Sequence, residues 1–332
     1  MTSPVTLPGP TADPALTAAV STGLEAVEGR LRDVVGSSHP LLATAAAHLV
    51  EAGGKRFRPL LALLAGHLGD PARPEVVEAA VVVELTHLAT LYHDDVMDEA
   101  AVRRGAASAN TRWTNTVAIL TGDYLFARAS DVVAELGPEA VRIQARTFAR
   151  LVEGQIAETA GPAAGEDPVV HHLQVVADKT GSLIATSARL GAMLAGAPPA
   201  DVETVSRFGE VIGAAFQLSD DLIDVLSDST ESGKTPGTDL REGIRTLPVL
   251  LALADDSDEG ARLRELLQGD LPDDARLAEA LGLLRRSPAL AAAQARLAAT
   301  VQEARDVAGA LPAGPARDAL VGLTGMVEQR TG

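Results

Sequence analysis

The sequence predicts an all-α protein in which helix packs on helix. Three observations carry that prediction. Hydrophobic residues are 46% of the 332, with Ala, Leu and Val foremost. Apolar positions recur at helical spacing in long runs bounded by glycine and proline, and no run of useful length alternates as a half-buried strand would. Aromatic residues are 2% of the chain, too few to build stacking platforms for bases or sugars.

Charge and cysteine content narrow the function further. The formal net charge of −17 argues against general nucleic-acid binding, so the few basic residues are informative where they cluster. With no cysteine, disulfides and thiolate metal sites are excluded, and a cytoplasmic location is the expectation. The first residues, MTSPVTLPGPTADP, lack a basic n-region and an apolar core and read as a flexible arm over 1–14, followed by one helical domain over 15–330. No stretch reaches about 18 uninterrupted apolar residues, so no transmembrane helix is expected.

In chain order, an amphipathic helix is expected from Ala15 to Val35 and another from Pro40 to Ala52. Gly53-Gly54 breaks the pattern, and Lys55-Arg56-Phe57-Arg58-Pro59 leads into the apolar run Leu60 to Leu68. Free backbone followed by three cations at a helix start makes a candidate anion site, although such a loop taken alone is more often simply solvated. Residues 75–98 form one long predicted helix ending in Asp94-Asp95-Val96-Met97-Asp98. His87 lies two turns before Asp94 on the same face, and His93, beside the motif, reads as a core residue. Arg103-Arg104-Gly105 closes the segment, its cations either ion-pair partners of the carboxylates or ligands for an anion. Further helices are expected over Asn115–Leu136, Pro138–Ala160 and His171–Ala195, the last carrying Lys179-Thr180. Phe208 to Leu226 is the second acidic helix, with Gln217 one turn before Asp220-Asp221-Leu222-Ile223-Asp224. Asp228 to Arg245, with Lys234, is rich in Gly, Ser, Thr and Asp and sits where a lid would. The tail from Pro272 is Ala/Leu/Arg-rich helix with no evident chemistry.

The two DDxxD segments organise these elements. On a helix, positions i and i+4 share a face with i+1 beside them, so each motif aims a cluster of carboxylates one way. Like charges on one turn repel, and a cation offsets that cost. Hard oxygen donors suit Mg²⁺, which takes a few carboxylates, retained waters and substrate phosphates. A single copy reads as a solvated acidic turn. Two copies in apolar settings, each followed by basic residues, point to a metal–diphosphate site.

Taken together, GGKRFRP (53–59), HDDVMD (93–98), RRG (103–105), Lys179-Thr180, FQLSDDLID (216–224) and GKTPGTDL (233–240) resemble the trans-isoprenyl diphosphate synthases, in order, from about Leu41 to Leu251. The resemblance implies a single-domain bundle of about ten or more helices around a deep central cavity, usually as a homodimer. It implies transfer of an allylic diphosphate primer onto isopentenyl diphosphate, with about three Mg²⁺ ions when substrate is bound. By the same resemblance, Asp94, Asp98 and Asp220 are metal ligands, with Asp95, Asp221 and Asp224 supporting them or binding through water. Arg103, Lys179 and Lys234 hold the allylic diphosphate. Lys55, Arg58, His87 and Arg104 hold isopentenyl diphosphate, and Thr180 and Gln217 line the path of the carbocation. No side chain reads as a dedicated base, and in the family the released diphosphate is thought to take the proton. One departure is Gly243-Ile244-Arg245-Thr246, where the family often has lysine at the Ile244 position.

Product length depends on what lines the cavity beneath the first motif. Thr90, Ala89 and Thr86, the residues four, five and eight before Asp94, are all small. An open floor there predicts a product of about thirty carbons or more, since residues near the Asp94 face border the growing chain. A bulky neighbour such as Phe126, Phe148 or Tyr124 would instead close the floor and favour a geranylgeranyl or farnesyl product. A terpene cyclase would not need the second anion site. A non-catalytic partner subunit would be expected to lose aspartates that are complete here. A long apolar product implies hand-off to membrane enzymes, yet no amphipathic anchor is evident, so any membrane contact is expected to be transient.

Overall fold

The computed structural model describes residues 13–226, 237–267 and 273–330. The helices run in order α1 Pro14–Val34, α2 Pro40–Glu51, α3 Phe57–Gly66, α4 Pro74–Met97, α5 Ala109–Arg112, α6 Asn115–Glu135, α7 Pro138–Ala160 and α8 Pro168–Val176. A five-residue π turn, Ala177–Gly181, joins α8 to α9 Ser182–Leu194. Then come α10 Pro199–Leu226, α11 Thr238–Arg241, α12 Leu247–Leu253, α13 Asp258–Leu266, α14 Asp274–Arg286, α15 Pro288–Gly309 and α16 Pro315–Gln329. The all-α expectation holds. Of the predicted arm, only residues 13 and 14 are described: Asp13 caps α1 by accepting from Leu16 N at 2.8 Å, and Pro14 is already helical.

Local chemistry sets the helix starts. Thr114 and Asp167 accept from Val117 N and Val169 N at 3.2 and 2.8 Å, and proline opens α1, α2, α4, α7 and α8. In α1 the buried residues Leu16, Val20, Leu24, Val27, Leu31 and Val34 follow the 3–4 spacing that gives a helix one apolar face. Helix α4 differs, being buried on most of its circumference and packed against α1, α3, α6 and α9. It is the one helix, among the described residues, long and apolar enough to cross a membrane, but 67% of its apolar window is buried inside the protein. Its hydrophobicity is that of a core helix.

The two acidic helices, α4 and α10, both pack on α9. Small residues allow that closeness: a Cβ added at Gly209 on α10 would sit 2.6 Å from Ala185 Cα on α9. Two local features were not legible in the sequence. The expected helix over 171–195 is interrupted by the π turn, which carries Lys179 and Thr180; such turns recur where a helix must re-aim a side chain. The acidic segment is also followed by a miniature hairpin pairing Val102 with Ala107 and Arg103 with Ala106. Its turn residues Arg104 and Gly105 have φ of 54° and 76°, the backbone of a tight two-residue hairpin turn.

Candidate active site

A cavity of about 1140 Å³ opens between α4 and α10, lined from α4 by the stripe Glu84, His87, Leu91 and Asp94 with Thr90 and Met97 beside it, and near the helix end by His93 and Val96 as well. Asp220 reaches the same cavity from α10. Burial pushes the Asp94 carboxyl up to about 6, with Asp98 and Glu158 adding to the shift and Lys179 and Arg103 opposing it. Asp98, at the helix end, is also raised, first by its burial. Asp95 points away from the cavity: it is fully buried and accepts from Arg103 Nε at 2.6 Å. The hairpin thus delivers Arg103 beneath the first motif. Among the described residues no three of His, Cys, Asp and Glu converge closely enough to cage an ion by themselves.

The second motif is divided in the same way. Asp220 pairs with Arg330 at the end of α16, and that guanidinium also stacks on Phe216 at 4.4 Å. Asp221 is 2% exposed and holds Gln217 and His172 at 3.1 and 3.0 Å. Asp224 accepts from Thr238 N and Asp239 N at 3.0 and 3.3 Å, capping α11.

Beside the carboxylates lies a basic wall of Lys55, Arg58, His87, Arg103 and Arg104, with Glu84 at its base. Glu84, 1% exposed, binds Arg56 at 2.7 Å and faces Arg104 at 3.5 Å. Arg58 is half-buried, its buried Nε has no hydrogen-bond partner, and desolvation lowers its pKa to about 10, with Arg104 acting the same way against Glu84 and Asp94. A guanidinium with a buried, unsatisfied N–H invites an anion. Burial, then Arg58, Arg104, Arg103 and Arg56, keep the His87 pKa well below the usual imidazole value, so His87 is neutral and can accept or donate one hydrogen bond. Lys179 donates to Glu158 across from Asp94. Apart from Gln155, Thr180 and Gln217, the remaining wall is largely apolar and includes Ile184, Leu151 and the paired rings of Phe126 and Phe148, 4.1 Å apart.

Of the residues singled out from sequence, Lys55, Arg58, His87, Thr90, Asp94, Arg103, Arg104, Lys179, Thr180, Gln217 and Asp220 border the cavity, and so does His93, which is half-buried beside Asp123 rather than in the core. Asp95, Asp98, Asp221 and Asp224 do not, and Lys234 lies outside the described residues. Two chain-length positions need correction. Ala89 and Thr86 are buried away from the cavity, Ala89 facing Gly122 of α6 and Thr86 donating to Val82 O at 2.8 Å. The cause is helix geometry: at about 100° per residue, Ala89 stands about 140° round from Asp94 and Thr90 only about 40°. Of the bulky candidates, Phe126 and Phe148 reach the wall, while Tyr124 donates through its hydroxyl to Gly36 O at 2.5 Å. Neither Ile244 nor Arg245 borders the cavity.

Four residues were missed. Glu84 could have been found, being three residues before His87 and on the same stripe. Glu158 and His172 carry weaker signals, and Arg330, 110 residues from Asp220, carries none.

Residues 39–284 match the polyprenyl synthetase family. The chain is 51% identical over 321 residues to a nonaprenyl diphosphate synthase of Mycobacterium tuberculosis, covering 96% of each protein. It is 45% identical over 312 residues to a dimethylallyltranstransferase of the same organism, covering 94% of this chain and 95% of that one. The crystal structure of a geranylgeranyl pyrophosphate synthase from Corynebacterium glutamicum, complexed with calcium and isoprenyl diphosphate, superposes with a TM-score of 0.87 at 45% identity, covering 96% of this chain and 98% of that chain. With carboxylates from two helices and a basic wall meeting at one cavity, this chain belongs to the polyprenyl synthetase family and is a prenyltransferase.

Proposed function

We propose that the chain is an all-trans polyprenyl diphosphate synthase that adds isopentenyl diphosphate, head to tail and repeatedly, to an allylic diphosphate. The cavity carries this reading. Asp94 and Asp220 meet at a space bounded by a basic wall on one side and apolar side chains on the other.

The donor set fits Mg²⁺. Its candidate ligands are carboxylates, Asp94 is destabilised as an anion by burial, and the absence of a preformed cage among the described residues suits an ion that completes its shell with substrate phosphates. Asp94, Asp98 and Asp220 would hold it, with Asp95 and Asp224 behind them. When bound it neutralises the charge that grows on the departing diphosphate. Lys179 and Arg103 add fixed positive charge on the allylic side, with Lys234 assigned there too. Lys55, Arg58, Arg104 and neutral His87 form the isopentenyl diphosphate site. The apolar wall keeps water from the allylic cation.

The reading extends to a product of about thirty carbons or more, because Thr90 leaves the cavity face beneath Asp94 open. A stop at geranylgeranyl length is the second reading, favoured by the Phe126–Phe148 pair in the wall. A homodimer is supported by exposed apolar residues on α6 and α7, among them Ile119, Leu120, Val152 and Ile156.

Incubating the purified chain with Mg²⁺, isopentenyl diphosphate and each allylic primer, then sizing products by mass spectrometry, tests the reading. A ladder running well past geranylgeranyl is expected. A sharp stop at that length selects the second reading. No elongation from any primer rejects the synthase.

A further inference from the structure

Thr180, Gln217, Asp221 and His172 form one hydrogen-bonded chain from the cavity wall inward. Thr180 Oγ1 donates to Gln217 Oε1 at 3.2 Å, and Gln217 Nε2 donates to Asp221 Oδ1 at 3.1 Å. His172 Nε2 lies 3.0 Å from Asp221 Oδ2. Thr180 and Gln217 border the cavity, whereas Asp221 and His172 stand behind them. Both oxygens of Asp221 are therefore engaged, and the side chain is 2% exposed.

Asp221 sets the direction of this chain. A carboxylate only accepts, so His172 must carry its proton on Nε2 and Gln217 must turn its amide nitrogen inward. The Gln217 carbonyl oxygen is left for Thr180. The threonine hydroxyl then spends its proton on Gln217 and keeps its lone pairs for the cavity. An oxygen that presents lone pairs stabilises positive charge, and one that presents its hydrogen repels it. In a site closed to water, that orientation is fixed before reaction.

We propose that Asp221 and His172 are positioning residues that fix how Thr180 and Gln217 face the allylic cation, and that Asp221 is not part of the metal's donor set. The proposal rests on the synthase reading for the existence of that cation. It departs from the symmetry of the two motifs, in which the middle aspartate is one more acidic ligand. The first motif has the same division of labour, with Asp95 buried against Arg103 while Asp94 borders the cavity.

Asp221→Asn is the informative substitution. It keeps the shape but can offer an N–H to Gln217, so the glutamine amide can turn over and drive the Thr180 hydrogen toward the cavity. Turnover should fall about ten- to a hundredfold, the size of one hydrogen bond to a charged group, with KM for both substrates and the half-saturating Mg²⁺ concentration unchanged. His172→Leu should act in the same direction, and His172→Gln, which still has an N–H to donate, should recover most of that loss. A second readout is binding of two inert primers, one a diphosphate carrying an ammonium in place of the cation, the other a thiolodiphosphate whose prenyl chain is neutral. Asp221→Asn and His172→Leu should weaken the cationic analogue by a similar factor and leave the neutral one alone. Three outcomes would overturn the proposal. In the first, Asp221→Asn raises the Mg²⁺ requirement and regains full turnover at saturating metal, which makes Asp221 a ligand. In the second, the two analogues weaken equally or not at all. In the third, His172→Leu turns over like the parent chain. Failure of the unsubstituted chain to elongate in the same assay would instead reject the synthase reading, and this proposal with it.

Discussion

Asp94 shows what the site costs when no cation answers it. Its carboxyl titrates near 6 because burial disfavours the anion. Between the usual carboxyl range and that value, the folded chain binds a proton that the unfolded chain releases. The penalty is therefore absent in acid and grows as pH rises through about 4 to 6. Asp94→Asn removes it. In metal-free protein at pH 7.5, the substituted chain should be the more stable, by at most about 3 kcal/mol for a shift of this size. The difference should shrink as pH falls through that window and vanish below about pH 4, which paired thermal melts would check. Turnover should fall at least about a hundredfold in the same variant, because the lost charge is one that would hold the Mg²⁺ facing the leaving diphosphate. A companion effect is that the parent chain's half-saturating Mg²⁺ concentration rises as pH falls below about 6, since metal and proton compete for one carboxylate. A flat metal requirement from pH 5 to 8 would remove Asp94 from the donor set.

At the scale of the element, the proposed control of product length turns on the rotation of α4. Thr90 borders the cavity, and Ala89 is packed where α6 approaches so closely that a Cβ on Gly122 would lie 3.1 Å from Ala89 O. Thr90→Phe should therefore shorten the product ladder. Ala89→Phe should instead overpack the α4–α6 contact and cost about 1–3 kcal/mol of stability. Mass spectrometry and thermal melts of the two variants check the pair, and a shortened ladder from Ala89→Phe with an unchanged melt would reverse the assignment. From sequence, Ala89 and Thr90 read alike, both small and both just before the motif, because spacing gives the face only to within a residue. What was legible was what repeats: the apolar period placed α1, α2, α4, α6 and α7 within a residue or two of their observed ends. What was not legible was local and short. The π turn at Lys179 and the two-residue strands beside Arg103 have no period to read, and both change where a cation points. His172 and Arg330 escaped for another reason. Each acts by pairing with a side chain distant in sequence, and one chain alone does not show such pairs.

At the scale of the whole molecule, α7 carries an exposed apolar stripe, Val141, Ala145, Ala149, Val152 and Ile156, spaced four, four, three and four residues apart. Beside it on α6 stand Ile119 and Leu120, 43% and 59% exposed. Contiguous apolar surface of this kind usually has a partner. Ile119, Val152 and Ile156 also border the cavity, so this surface is the cavity's own outer wall. A wall that thin exposes the reaction to water unless something covers it, and a two-fold arrangement covers each stripe with its own copy. The net charge of −17 opposes association of two chains, so dimerisation should strengthen with salt, which screens that repulsion while leaving apolar burial intact. Replacing Val152 and Ile156 together with Glu should yield a monomer by light scattering. That monomer should divert primer from elongation to hydrolysis, releasing prenyl alcohol as water reaches the cation. A variant that stays dimeric would place the interface elsewhere, and a monomer that elongates without added hydrolysis would show that the cavity is sealed within one chain.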